Sequence, residues 1–220
     1  MLNADGTNLR LVTPPVLGFT QLRSIEWCVD HRRLICNMSM GDTDSSHIIL
    51  IYSDGTEIKD LGAGCSPSVS PGRLDVVFSD LREVSVRMKV DGSGRDTIER
   101  NGWGTQWSLD GRYIALGNGS RIILLEKHSM QRRQLLTLEQ SAMLESVYWN
   151  PGWSHDSTWN AFKARRMNAN NAMVVVASVE SPEEFKVFFT KARIGSTRIL
   201  PGIRTTSRPY LSRACCTKTN

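Results

Sequence analysis

Ser154-His155-Asp156 sets the three side-chain types of a nucleophilic triad side by side. A hydroxyl, an imidazole and a carboxylate pass a proton only when each meets the next at hydrogen-bond distance. Consecutive residues of a strand and its turn cannot reach that geometry. No G-x-S-x-G elbow and no Walker phosphate loop occurs in the chain. The four histidines, His31, His47, His128 and His155, fall at or beside expected turns in separate stretches, and none has H-E-x-x-H or paired-ligand spacing. The five cysteines contain no C-x-x-C. Cys28 and Cys36 sit at unequal distances from the turn between them, and the adjacent Cys215 and Cys216 would bridge only under strain, so reduced thiols are expected. The residue types therefore predict no catalytic, cofactor-binding or metal-ligating set. Two recurrent types remain. Asp30, Asp110 and Asp156 stand at turns that should share one rim, where they could face a cation, although capping of nearby backbone N–H groups accounts for them. Trp27, Trp107 and Trp153 could form a recognition surface, but one Trp per repeat at a fixed place predicts packing between neighbouring units.

The elements that carry these residues recur. Trp107-Ser108-Leu109-Asp110-Gly111-Arg112 reads as a strand end and a tight turn, and Tyr113 to Leu116 as the next strand. The pattern is echoed at Trp27 to Asp30, at Val69-Ser70-Pro71-Gly72-Arg73 and at Trp153 to Ser157. The steps between the first residues are 42, 38 and 46. A second marker runs in phase: Asp5-Gly6, Asp54-Gly55 and Asp91-Gly92, replaced by Lys127-His128-Ser129 and by Glu180-Ser181-Pro182-Glu183 in the last two units. Several short strands at a period near 40 predict an all-β propeller of four-stranded antiparallel blades.

Four units are expected, at about 24–61, 66–100, 104–138 and 147–190, preceded by one outer strand near Leu9 to Val12. His47 to Tyr52 and Ile122 to Leu125 are apolar on both faces, as strands covered on two sides must be. Asn118-Gly119 predicts a two-residue hairpin. Gln131 to Val147 fits one helical face poorly and is read as a strand followed by a loop. After Thr190 the pattern stops, so 1–190 is expected to be propeller and 191–220 a basic, unfolded tail. Without a further Trp, Asp-Gly turn or apolar strand in that tail, the blades are expected to form an open arc that can self-associate through its end faces.

Composition narrows the partners. At 40% hydrophobic and 22% charged, the chain has ordinary globular balance, and no apolar run approaches a membrane span. No secretory leader is evident at Met1 to Gly6. The net charge of +5 is concentrated at the end, since eight of the Lys and Arg lie from Phe185 onward with no acid among them. Residues 1–184 carry a net of −3, which gives no electrostatic reason to expect nucleic acid. The tail could meet nucleic acid or anionic lipid, but it lacks regular aromatic interleaving, and a solvated tail is the expectation. Asn37-Met38-Ser39 and Asn118-Gly119-Ser120 have the form of glycosylation triplets and are short enough to arise by chance.

The W-S-x-D-G-[KR] core at Trp107 to Arg112 and Trp153 to Ser157, with a downstream Asp-Gly, resembles the TolB-type β-propeller repeat, a relative in shape of the WD-repeat. The resemblance covers residues 1 to about 190 and implies blades around a central channel, six in the usual ring, of which this chain supplies four and one outer strand. It implies a non-catalytic scaffold that binds protein partners, with no cofactor, and it suggests the periplasm or cell envelope. The alternative it implies is the gating propeller of a larger enzyme, a prolyl-oligopeptidase-type serine peptidase or a sugar lyase.

Overall fold

Strand-forming segments are separated at nearly every junction by a residue that bends the chain, and antiparallel pairing of neighbours follows. A computed structural model describes residues 21–39, 46–72, 75–82, 84–148, 151–169 and 172–189 and, singly, 5, 7, 9 and 12. The first sheet contains β1 (Gln21–Trp27), β2 (Arg33–Ser39), β3 (His47–Tyr52) and β4 (Ile58–Ala63), paired in that order. The second contains β5 (Cys65–Val69), β6 (Asp75–Ser79), β7 (Val84–Lys89) and β8 (Asp96–Arg100). The third contains β9 (Trp103–Trp107), β10 (Tyr113–Asn118), β11 (Arg121–Glu126) and β12 (Arg132–Gln134). After a short helix, α1 (Leu138–Ala142), the fourth has its first strand in two pieces, β13 (Leu144–Val147) and β14 (Gly152–Trp153). Both pair with β15 (Trp159–Arg166), which continues to β16 (Ala172–Ser178) and β17 (Phe185–Phe189).

Side chains alternate between the two faces of a strand, and here both faces are apolar. Ile35, Ile48 and Leu50 of the first sheet meet Val76, Phe78 and Met88 of the second. Val77 of the second meets Ile114, Leu116 and Ile123 of the third. Ala115, Ile122 and Leu124 of the third meet Phe162, Met173 and Val175 of the fourth. The sheets therefore stack face on face in chain order, as propeller blades, with an apolar seam at each junction. This is why the third strands lack a polar alternation. The far side of the first blade, Leu34, Cys36, Met38, Ile49 and Ile51, is also buried, with Val12 packed against it.

The turns between first and second strands are held by the acids singled out above. Asp110 Oδ1 accepts from Arg112 N–H at 2.9 Å and from Ser108 Oγ at 2.6 Å, and Gly111 supplies the left-handed φ of 69°. Asp156 repeats the arrangement with Thr158 N–H and Ser154 Oγ, and Asp30 accepts from Arg32 and Arg33 N–H. The second marker is just as regular. Asp5, Asp54 and Asp91 each accept from the backbone N–H two residues on, at 2.9–3.0 Å.

Three expectations need correction or relocation: the loop after β12, the hairpin at Asn118-Gly119 and the packing of Trp27. The loop read after β12 contains α1, because Thr137 and Gln140 close a capping box: Gln140 N–H donates to Thr137 Oγ1, and Thr137 N–H to Gln140 Oε1. The hairpin at Asn118-Gly119 is centred one residue later. Asn118 pairs with Arg121, so Gly119 and Ser120 are the turn. Asn37 is 1% exposed and bonded to Ser46 Oγ, which leaves no room for a glycan. Trp27, expected to pack between blades, is 47% exposed. Cys28, Cys36 and Cys65 are buried and form no disulfide among the described residues. The outer strand near Leu9 to Val12 is described only at those two residues, and the tail at 191–220 and its cysteines lie outside the described residues.

Candidate functional site

The first strands of the blades converge, and each of the first three carries the same irregularity. Arg23 pairs with Asn37 and Glu26 with Ile35, so Ser24 and Ile25 together oppose Cys36. Ser66 and Pro67 likewise oppose Phe78, and Gly104 and Thr105 oppose Leu116. The first residue of each bulge is left-handed, with φ of 47° at Ser24, 52° at Ser66 and 64° at Gly104. A bulge of this kind bends a strand and re-aims its side chains. In the fourth blade the corresponding strand breaks between β13 and β14.

The bulges allow each blade to hold the next by its backbone. Ser66 N–H donates to Asn37 Oδ1 at 3.4 Å, and Gly104 N–H to Ser79 Oγ at 2.8 Å. Three residues further along, Val69 N–H donates to Glu26 Oε2 at 2.7 Å, and Trp107 N–H to Ser68 Oγ at 3.2 Å. At the fourth blade the Trp153 indole N–H donates to the Gln106 carbonyl at 3.4 Å. Backbone donors that a strand edge would leave open are thus satisfied by the neighbouring blade.

Between these strands lies a cavity of about 230 Å³, where a propeller's first strands border its central channel. Ser24, Ile25 and Glu26 of β1 line it, with Ser66, Pro67 and Ser68 of β5, Thr105 and Gln106 of β9, and Gly152 of β14. Thr105 Oγ1 and Gln106 Oε1 are buried without a hydrogen-bond partner among the described residues. Glu26 is the one ionisable group of this lining. Burial pushes its carboxyl above the usual range, against the Val69 N–H and Ser68 hydroxyl that favour the anion. The arrangement offers hydroxyls, an amide and a proton-holding carboxyl. It can bind and orient a polar group, and its one hydroxyl-to-carboxyl contact joins Ser68 to Glu26.

A raised folded-state pKa makes Glu26 most favourable to folding below its unfolded value near 4.5, and that contribution is lost as pH rises through the folded value. Glu26→Gln keeps an acceptor for Val69 without the charge. The variant is expected to match wild type in denaturant midpoint below pH 4.5, to gain on it as pH rises from there through the folded value, and to gain no more beyond it. A constant difference across that range would contradict the buried-carboxyl account.

The residues singled out from the sequence lie elsewhere. His31 is exposed in a turn at φ 54°, His128 and His155 are in turns, and His47 Nδ1 meets Asp60 at 2.8 Å. Ser154 and Asp156 bond to one another within their turn, where hydrogen bonds from Ser154 and Thr158 hold the Asp156 carboxyl down to about 2. Among the described residues no three His, Cys, Asp or Glu could hold a metal ion. Trp107 is 3% exposed in the seam of the second and third blades, and Trp153 is half-buried against that of the third and fourth. The channel residues escaped sequence reading, although each bulge begins three places before the Trp107-type residue of its repeat, at Ser24, Ser66 and Gly104.

No family model and no curated protein matches the chain. Solved structures do, as folds. TolB from Acinetobacter baumannii is 14% identical over 77% of this chain and 43% of its own, with a TM-score of 0.59. A chain of a nidogen/laminin complex is 13% identical over 76% and 64%, with a TM-score of 0.58. An oligogalacturonate lyase from Vibrio parahaemolyticus is 11% identical over 91% and 61%, with a TM-score of 0.63. The chain therefore has the β-propeller fold, TolB among its neighbours, and spans less than two thirds of each of these three.

Proposed function

We propose that these propeller blades form a non-catalytic protein-interaction module whose partner docks along β1. The observation that carries this is a set of exposed apolar residues along β1 and just past its end, Leu22 at 42%, Ile25 at 56%, Trp27 at 47% and Val29 at 41%, of which Ile25 lines the channel cavity. The matching strands β5 and β9 are largely buried by blades on both sides, whereas β1 is open along most of its length. Exposed apolar patches with a polar border mark protein contacts, and Trp is prominent among residues that dominate them. The TolB and nidogen/laminin neighbours are consistent with this reading.

Trp27→Ala is expected to leave the melting curve within about 0.5 kcal/mol of wild type and to weaken the partner's binding about thirtyfold, the equivalent of ~2 kcal/mol. The test is reversible crosslinking of the full chain in lysate, identification of the captured protein, and titration of that purified protein against wild type and variant. A partner bound equally by both would overturn the assignment to β1, and failure of the wild type to hold any protein would overturn the function.

A sugar-lyase reading draws on one observation, the 91% coverage by the Vibrio lyase fold. Unsaturated product released from oligogalacturonate by the full chain would favour it over the interaction module.

A further inference from the structure

A second cavity, of about 220 Å³, lies between α1 and the outer strands of the fourth blade, away from the channel. Its walls are Leu136, Leu144, Met173, Val175, Phe185 and Val187, and two polar residues border it. Gln140 is already committed: its Nε2 donates to the Pro182 carbonyl at 3.0 Å and its Oε1 accepts from Thr137 N–H at 2.9 Å. Arg166 is not. It is exposed and makes no ion pair among the described residues, while its neighbour Arg165 is bound to Glu145 at 2.7 Å. Met143, 44% exposed, forms the remaining edge with a side chain able to adapt to what enters.

We propose that this cavity binds a straight-chain carboxylate, its tail inside and its head on the Arg166 guanidinium. An apolar cavity holds water poorly and accepts apolar ligands. The volume admits a tail of about seven methylenes, each taken at the ~30 Å³ of a liquid water. The long stem of an arginine can wall an apolar space while its charge stays in solvent, and a guanidinium pairs with a carboxylate through two parallel bonds. A cation without an ion pair among the described residues, at the edge of a largely apolar space, selects an anionic head over a neutral or cationic one.

The experiment is calorimetric titration of the full chain with octanoate, octanol and octyltrimethylammonium. Octanoate should bind, octanol more weakly, and the cation weakest. Arg166→Gln should weaken octanoate about tenfold, as expected on losing a charged hydrogen bond, and erase its advantage over octanol. Met143→Trp, a change at an exposed edge, should block all three without shifting the melting curve. No heat with millimolar octanoate would overturn the proposal, as would equal binding of anion and cation or affinity untouched by Arg166→Gln. Affinity that falls as protein concentration rises would assign the cavity to a second copy of the chain and also overturn it.

Discussion

Trp107→Ala is expected to lower the unfolding free energy by about 3–5 kcal/mol, the range for deleting a large buried aromatic. The indole is 3% exposed and is embedded with Val77, Ile114 and Leu116, so its loss opens a hole between two blades that neither backbone can close alone. The same residue's N–H is held by Ser68 Oγ of the preceding blade, which fixes the strand around the hole and limits relaxation. His155→Ala, at an exposed turn position, should stay within about 0.5 kcal/mol of wild type. Similar small effects for both in denaturant melts would contradict the repeat register.

Phe78→Ala should have a comparable effect, about 3–5 kcal/mol, at the preceding seam. Phe78 is fully buried among Val76, Val86 and Ile48, and Arg95 lies 4.8 Å from its ring. The ring fits because residue 64 has no side chain. A Cβ there would stand 2.5 Å from Phe78 Cδ2 and 3.0 Å from Ile48 Cγ1. Gly64→Ala alone should therefore cost about 1–3 kcal/mol by overpacking. Phe78→Leu should recover part of that loss, because the smaller side chain vacates the contested space. Strict additivity of the two changes in urea melts would show that Phe78 and Gly64 do not share one site.

The fold was legible because its signals are local and repeated. Asp-Gly and Asp-x-Arg turns declare themselves through a short carboxylate and a left-handed glycine, and Ile48 to Ile51 and Ile122 to Leu125 declare strands covered on two faces. The helix α1 was missed because its evidence is a capping box, Thr137 with Gln140, not a periodic apolar face. Trp27 was misplaced for a different reason. The repeat assigns each such Trp to the seam with the preceding blade, and the repeat alone cannot say how much of that seam covers the first unit. The channel residues were hidden because their role depends on pairing register. Ser24, Ser66 and Gly104 look unremarkable in sequence, and only the two-against-one opposition with Cys36, Phe78 and Leu116 reveals the shared bulge.

That bulge also separates what the blades use to hold one another from what they leave open. Glu26 and Ser68 point into the same channel and spend an acceptor on the following blade. Thr105 Oγ1 and Gln106 Oε1 do not. Thr105 and Gln106 line the same cavity as Ile25 of the exposed apolar set, but their unpartnered oxygens are buried, so the proposed docking surface rests on the apolar set.

The central claim is that one repeat position serves two purposes, a core indole at Trp107 and a partner-facing indole at Trp27. Hydroxyl-radical footprinting of the full chain, read by mass spectrometry residue by residue, tests it most directly. Trp27 should oxidise fastest, Trp153 at an intermediate rate and Trp107 slowest, and the captured partner should slow Trp27 while leaving Trp107 unchanged. Oxidation of Trp27 as slow as that of Trp107 in the isolated chain, or undiminished in the presence of the partner, would contradict the account.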